Sequence, residues 1–138
     1  MLLMALMAPW ATAQVSLDYF YGFEDGNLST DGWSSTVTGT NSGIFTAADA
    51  VHSGSYGYGI CYNEGEDRYL MSPVLTGAGD KAINVTFYYK SYNTNWYDQF
   101  QVGYTDDSTI TDPSEFTYGS TIAETTADWV MYDGVLPA

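Results

Sequence analysis

Residues 82–90 read AINVTFYYK, and they alternate cleanly: Ile83, Val85, Phe87 and Tyr89 fall on one side of an extended chain, Asn84, Thr86, Tyr88 and Lys90 on the other. Period two sustained over that length describes a strand with one face toward a core and one toward water. Ile83, Val85 and Phe87 are therefore expected to lie buried between two sheets. Residues 98–105, DQFQVGYT, repeat the pattern, with Phe100, Val102 and Tyr104 opposite Gln99 and Gln101. Downstream, the acidic stretch TDDSTITDPSE separates this strand from FTYGSTI and from DWVMYDGVL.

Upstream the same grammar continues. Residues 68–75 and 56–62 read as strands flanking the loop NEGED, and the turn VHSGS precedes them. A short IFTA segment, the turn TGTNSG, residues 33–38 and residues 18–23 complete the series. Thirteen tyrosines, six phenylalanines and four tryptophans make a strand-and-turn vocabulary, while helix formers such as Lys, Arg, Gln and Leu are scarce. Apolar runs recur between turn signals and not at helical spacing, so the chain is all-β. Roughly eight short strands joined by polar turns suit one domain built as a two-sheet sandwich.

Residues 1–13, MLLMALMAPWATA, are apolar and uncharged and end in Ala11-Thr12-Ala13, a small-x-small pattern that signal peptidase accepts. They are expected to be a signal peptide removed before Gln14, leaving residues 14–138 as the exported domain. A buried N-terminal helix is the competing interpretation; a run of about 10–14 apolar residues is too short to span a bilayer. The chain carries three fixed cations, Arg68, Lys81 and Lys90, against 17 carboxylates, a formal net charge of −14. That balance argues against nucleic acid or an anionic membrane as partner. It suits divalent cations, or simply the solubility of an exported protein. Cys61 is the only cysteine, so it forms no internal disulfide and is expected to pack as a small hydrophobe.

The segment DYFYGFEDGNLSTDGW, residues 18–33, sets Glu24 and Asp25 behind an aromatic run. A carboxylate at a strand end is costly to bury unless paired, and few cations are at hand. A hard metal ion would solve this; a solvated turn is the alternative. Asp25, Asn27, Ser29 and Asp31 also have the alternate spacing of an EF-hand loop, but Thr30 stands where that loop has glycine and Thr36 where it has glutamate. Elsewhere, the loop SYNTNWYDQ places Tyr92, Trp96 and Tyr97 among amide side chains, an arrangement that can stack on sugar faces; core or sheet-surface packing is the alternative.

Catalysis has little support. Glu64 with Glu66 and Asp106 with Asp107 are loop carboxylates of a kind usually solvated in acidic proteins. The single histidine, His52, comes with no nucleophile spacing, phosphate loop or zinc motif. The chain is not read as an enzyme.

The succession YGFEDG followed by Trp33, VHSGSYGYGI, DRYLMSPVL, INVTFYYK, DQFQVGYT and ADWVMYDGVL resembles the cleaved-adhesin or choice-of-anchor J family of secreted bacterial modules. These are similar to the haemagglutinin-adhesin domains of gingipains and, more distantly, to MAM domains. The resemblance spans about residues 19–136. It implies a jelly-roll β-sandwich in which strands beyond residue 136 complete the domain, so this chain is expected to be truncated at its C-terminus relative to the family. It also implies a structural calcium ion with Glu24 as side-chain ligand, Asp25 beside it, and Ser53 where the S-G turn offers a carbonyl. Function is then expected to be that of a non-catalytic adhesion module, secreted or on the cell surface, that recognises a host or matrix protein or a glycan. A carbohydrate-binding module using Tyr92, Trp96 and Tyr97 is the alternative.

Overall fold

The computed structural model describes residues 14–16, 19–35, 43–60, 67–79, 81–91, 98–124 and 127–137. Within them the chain is all-β, with twelve strands and two short 3-10 turns, Leu28–Asp31 and Pro113–Glu115. No helix among the described residues is long and apolar enough to cross a membrane. The expected signal peptide, Cys61 and the loop aromatics Tyr92, Trp96 and Tyr97 lie outside the described residues.

The longest element is the ribbon of β7 (Ile83–Tyr89) and β12 (Val130–Leu136), paired antiparallel over seven residues from Ile83↔Leu136 to Tyr89↔Val130. Its register puts Phe87 opposite Tyr132 and Tyr89 opposite Val130 on the inward face, and a slip by one residue would turn that face outward. Ile83, Val85, Phe87 and Tyr89 are half-buried and alternate with exposed Asn84, Thr86 and Tyr88, the pattern read from the sequence. They are less deeply buried than that pattern implies. Among the described residues no hydrophobic side chain is fully enclosed.

The other strands also pair in twos. β1 (Gln14–Ser16) runs parallel to β6 (Val74–Thr76), whereas β2 (Ser34–Ser35) with β5 (Leu70–Met71) and β3 (Gly43–Phe45) with β4 (Gly57–Gly59) are antiparallel. So are β8 (Asp98–Phe100) with β11 (Ile122–Glu124) and β9 (Gly103–Tyr104) with β10 (Thr117–Tyr118). Two strands read as continuous are divided. Residues 68–75 break at Ser72-Pro73, where proline has no amide to give a ladder, and residues 98–105 break between Phe100 and Gly103. The first expected strand is a correction: residues 19–23 form no ladder. Their alternation survives as ring packing, with Phe20 87 % exposed and Tyr19, Tyr21 and Phe23 turned the other way into an aromatic cluster.

Candidate functional site

The corner at residues 19–35 is assembled by rings. Tyr21 stacks on Trp33 at 5.3 Å, and Phe23 lies 5.8 Å from both Trp33 and Tyr58. The Trp33 indole N–H donates to the Tyr19 hydroxyl at 2.9 Å. Tyr58 donates to Ser35 Oγ at 2.6 Å, and that hydroxyl donates to the Tyr69 carbonyl at 3.0 Å. Phe23 has φ 62°, a left-handed conformation that costs a phenylalanine about 1–3 kcal/mol. The rings on both sides of Phe23 hold it there, and Gly26 N–H closes the turn onto the Phe23 carbonyl at 2.9 Å.

That turn aims Glu24 across to residues 52–55. Both carboxylate oxygens of Glu24 accept from the Ser55 amide, at 3.1 and 2.9 Å, and Oε1 also accepts from the Tyr56 amide at 3.4 Å. Asp25 turns the other way: its Oδ1 accepts from the Tyr21 hydroxyl at 3.2 Å and from the Asn27 amide at 3.1 Å. Asn27 then caps the Leu28–Asp31 turn, its Oδ1 accepting from the amide and hydroxyl of Ser29. Asp25 and Asn27, the first two oxygens of the EF-hand spacing, thus serve turn and cap. Ser53 is exposed in the turn that faces Glu24.

A calcium site is built from oxygen ligands, carboxylates and carbonyls above all. The groups turned toward Glu24 here are N–H donors, which carry partial positive charge. The Ser55 and Tyr56 amides meet the Glu24 carboxylate as they would any anion. Among the described residues no three of His, Cys, Asp and Glu come together as a metal cluster.

Burial, and next the hydrogen bond to Asp25, push the Tyr21 hydroxyl up from its ordinary value of 10.0 to about 12. Because the folded-state value is the raised one, the associated stability is fully present below pH 10 and is lost as pH rises through about 12. Burial raises Tyr118 as well, so a phenolate absorbance titration should show late-ionising tyrosines, one fewer of them in Tyr21→Phe. The same variant should lose less of its melting temperature over that alkaline window. An undiminished late titration in the variant would show that Tyr21 does not contribute to it.

A second cluster stands on the outer face of the β7–β12 ribbon. The His52 ring lies flat on Tyr88 at 3.7 Å and 9°, and meets Trp129 edge-on at 5.3 Å. Lys90 Nζ sits 5.2 Å from the centre of the Trp129 ring, within cation–π range. Beside these rings the cross-strand register places Tyr88 opposite Met131 and Asn84 opposite Val135. Tyr88, Met131 and Val135 are 49 %, 52 % and 67 % exposed. Asn84 Nδ2 donates to Asp133 Oδ1 at 3.1 Å within the same face.

The sequence singled out Glu24, Asp25 and Ser53 together. The structure brings Glu24 to the turn that contains Ser53 and engages Asp25 within its own loop. His52, Trp129, Met131 and Val135 were not singled out as site residues; for Met131 and Val135 the signal was the register of 130–136 against 83–89, which exposes every second residue of an apolar run. Comparison with protein-family models, with curated proteins and with solved structures gives no match to this chain.

Proposed function

We propose that this chain is a non-catalytic binding module of the jelly-roll class, secreted or displayed at the cell surface, which docks a protein through the outer face of the β7–β12 ribbon. The observation that carries this is the exposure of Tyr88 and Met131 as a cross-strand pair, with Val135 exposed further along the same face of the ribbon. Aromatic residues and Met are enriched at interface centres, where charge is depleted, and a polar rim surrounds them. Here Lys90 stands beyond Tyr88 at one end of the face, and the Asn84–Asp133 pair lies between Met131 and Val135. A net charge of −14 steers association toward a basic partner. The one histidine has its ring engaged by Tyr88 and Trp129, which suits a recognition surface better than a general base.

A glycan is the second reading, favoured by the His52–Tyr88–Trp129 rings. A sugar needs an open ring face, however, and His52 covers one face of Tyr88 while Lys90 sits over Trp129, so protein docking is carried further. Binding to immobilised basic matrix proteins separates the two. Met131→Ser with Val135→Ser should weaken such binding about ten-fold or more, the loss of roughly 1.4 kcal/mol or more from a contact centre. These side chains are exposed, so the melting temperature should stay nearly unchanged. Raised salt should slow association. Binding that ignores both substitutions, together with glycan-array signal that Trp129→Ala abolishes, would replace the protein reading with the carbohydrate one.

A further inference from the structure

We infer that Glu24 is a positioning residue, a metal-free tie whose carboxylate, held by the main-chain amides of Ser55 and Tyr56, fixes the 52–55 turn and thereby lays His52 on the outer face of the β7–β12 ribbon. The tie spans 31 residues of sequence and joins two segments that share no ladder. Its near end cannot drift, because Phe23 is wedged among Tyr21, Trp33 and Tyr58 and the turn is closed by Gly26. Its far end is a concavity of successive amides, a geometry that receives anions, and hydrogen bonds to an ionised acceptor are the stronger kind.

Gly54 makes the approach possible on two separate grounds. Its φ is 78°, which side chains rarely adopt, and a Cβ placed on it would overlap the Glu24 carboxylate, with Oε2 at 2.8 Å and Oε1 and Cδ closer still. The residue that lets the carboxylate in thus belongs to the turn that carries His52. Three positions before Ser55 in that turn, the imidazole lies on Tyr88 at 3.7 Å. Rings at one end and rings at the other are therefore connected through one carboxylate. The connection holds whatever the outer face binds.

Two measurements on the exported protein test it. His52 is the only histidine, so its ring protons can be followed by NMR without ambiguity. Stacking on Tyr88 should hold them upfield in the wild type. Glu24→Gln keeps the shape but turns an amide N–H₂ toward backbone N–H, and it should move the His52 signals most of the way to the free-imidazole position while signals of the inward-facing ribbon residues Val85 and Phe87 stay put. Unmoved His52 signals in Glu24→Gln would overturn the positioning role.

The second measurement is a double-mutant cycle. Gly54→Ala should lower the melting temperature strongly in the wild type and clearly less in Glu24→Ala, where the overlap is gone and only the φ penalty remains. Strict additivity would overturn the tie. Both wild-type measurements should be the same in calcium and in chelator; a midpoint that rises with calcium and no longer does so in Glu24→Gln would make Glu24 a cation ligand and overturn the metal-free tie.

Discussion

Phe87→Ala is expected to lower the unfolding free energy by about 2–3 kcal/mol in denaturant melts. A fully buried phenylalanine costs about 3–5 kcal/mol when cut to alanine. Phe87 is half-buried, so the transfer and cavity terms are reduced, but it stands at the centre of the inward ring cluster. It lies directly opposite Tyr132 in the ribbon, with centroids 4.7 Å apart and planes at 23°, and it also faces Phe100 at 6.0 Å and Tyr89 at 6.2 Å. Tyr89 in turn meets Phe100 edge-on at 4.9 Å, so the cluster joins β7 to β8 as well as to β12. Such pairs contribute about 0.5–1.5 kcal/mol beyond area burial. The control is the next residue on the other face: Tyr88→Ala removes a half-exposed ring that touches His52 and should cost about 1 kcal/mol or less. Equal losses at positions 87 and 88 would mean that the ribbon is turned over or slipped by one residue.

The contrast between adjacent residues shows what a sequence of this kind carries. The orientation of residues 83–89 was legible because alternation is a local property of the chain. The ladder partners were not, since hydrogen bonding by the backbone leaves no mark on side-chain identity. For this reason 19–23 and 83–89 look alike in sequence, yet the first is held by Trp33 and Tyr58 without a ladder and the second is a seven-residue strand. The parallel pairing of β1 with β6 was likewise set by a contact distant in sequence, whereas the break at Ser72-Pro73 follows from the proline itself. Glu24 was legible as a carboxylate in need of a partner. Weighing only cations and water left out the donors it meets, which are main-chain amides 31 and 32 residues away. The glycine in SGS was the available trace of them. Met131 and Val135 stayed hidden for the opposite reason: inside DWVMYDGVL apolar residues fall on both faces of the strand, and pairing with 83–89 shows that these two face out.

Trp33→Ala is expected to be the other strongly destabilising substitution, at about 3 kcal/mol. A tryptophan offers roughly 150–250 Å² for burial, and at about 25 cal/mol per Å² half of that contributes about 2–3 kcal/mol. Stacking on Tyr21 at 5.3 Å and contact with Phe23 at 5.8 Å add to it. The indole N–H contributes separately, through its 2.9 Å bond to the Tyr19 hydroxyl. Trp33→Phe should therefore recover most of the loss and retain a deficit of about 1 kcal/mol, the net value of one part-buried hydrogen bond. Tyr19→Phe should show nearly the same deficit, and combining it with Trp33→Phe should add little, because both remove one interaction. Phe23 makes the consequence larger than contact area alone. Its left-handed φ is tolerated while rings press on it from both sides, and with Trp33 cut back the backbone can relax, carrying Glu24 away from Ser55 and Tyr56. Trp33→Ala should then disturb the His52 ring signals from a distance, whereas Tyr19→Phe, which leaves the indole in place, should not. If Trp33→Ala cost less than about 1 kcal/mol, typical of a surface substitution, the ring cluster could not be what holds residues 19–35 in place.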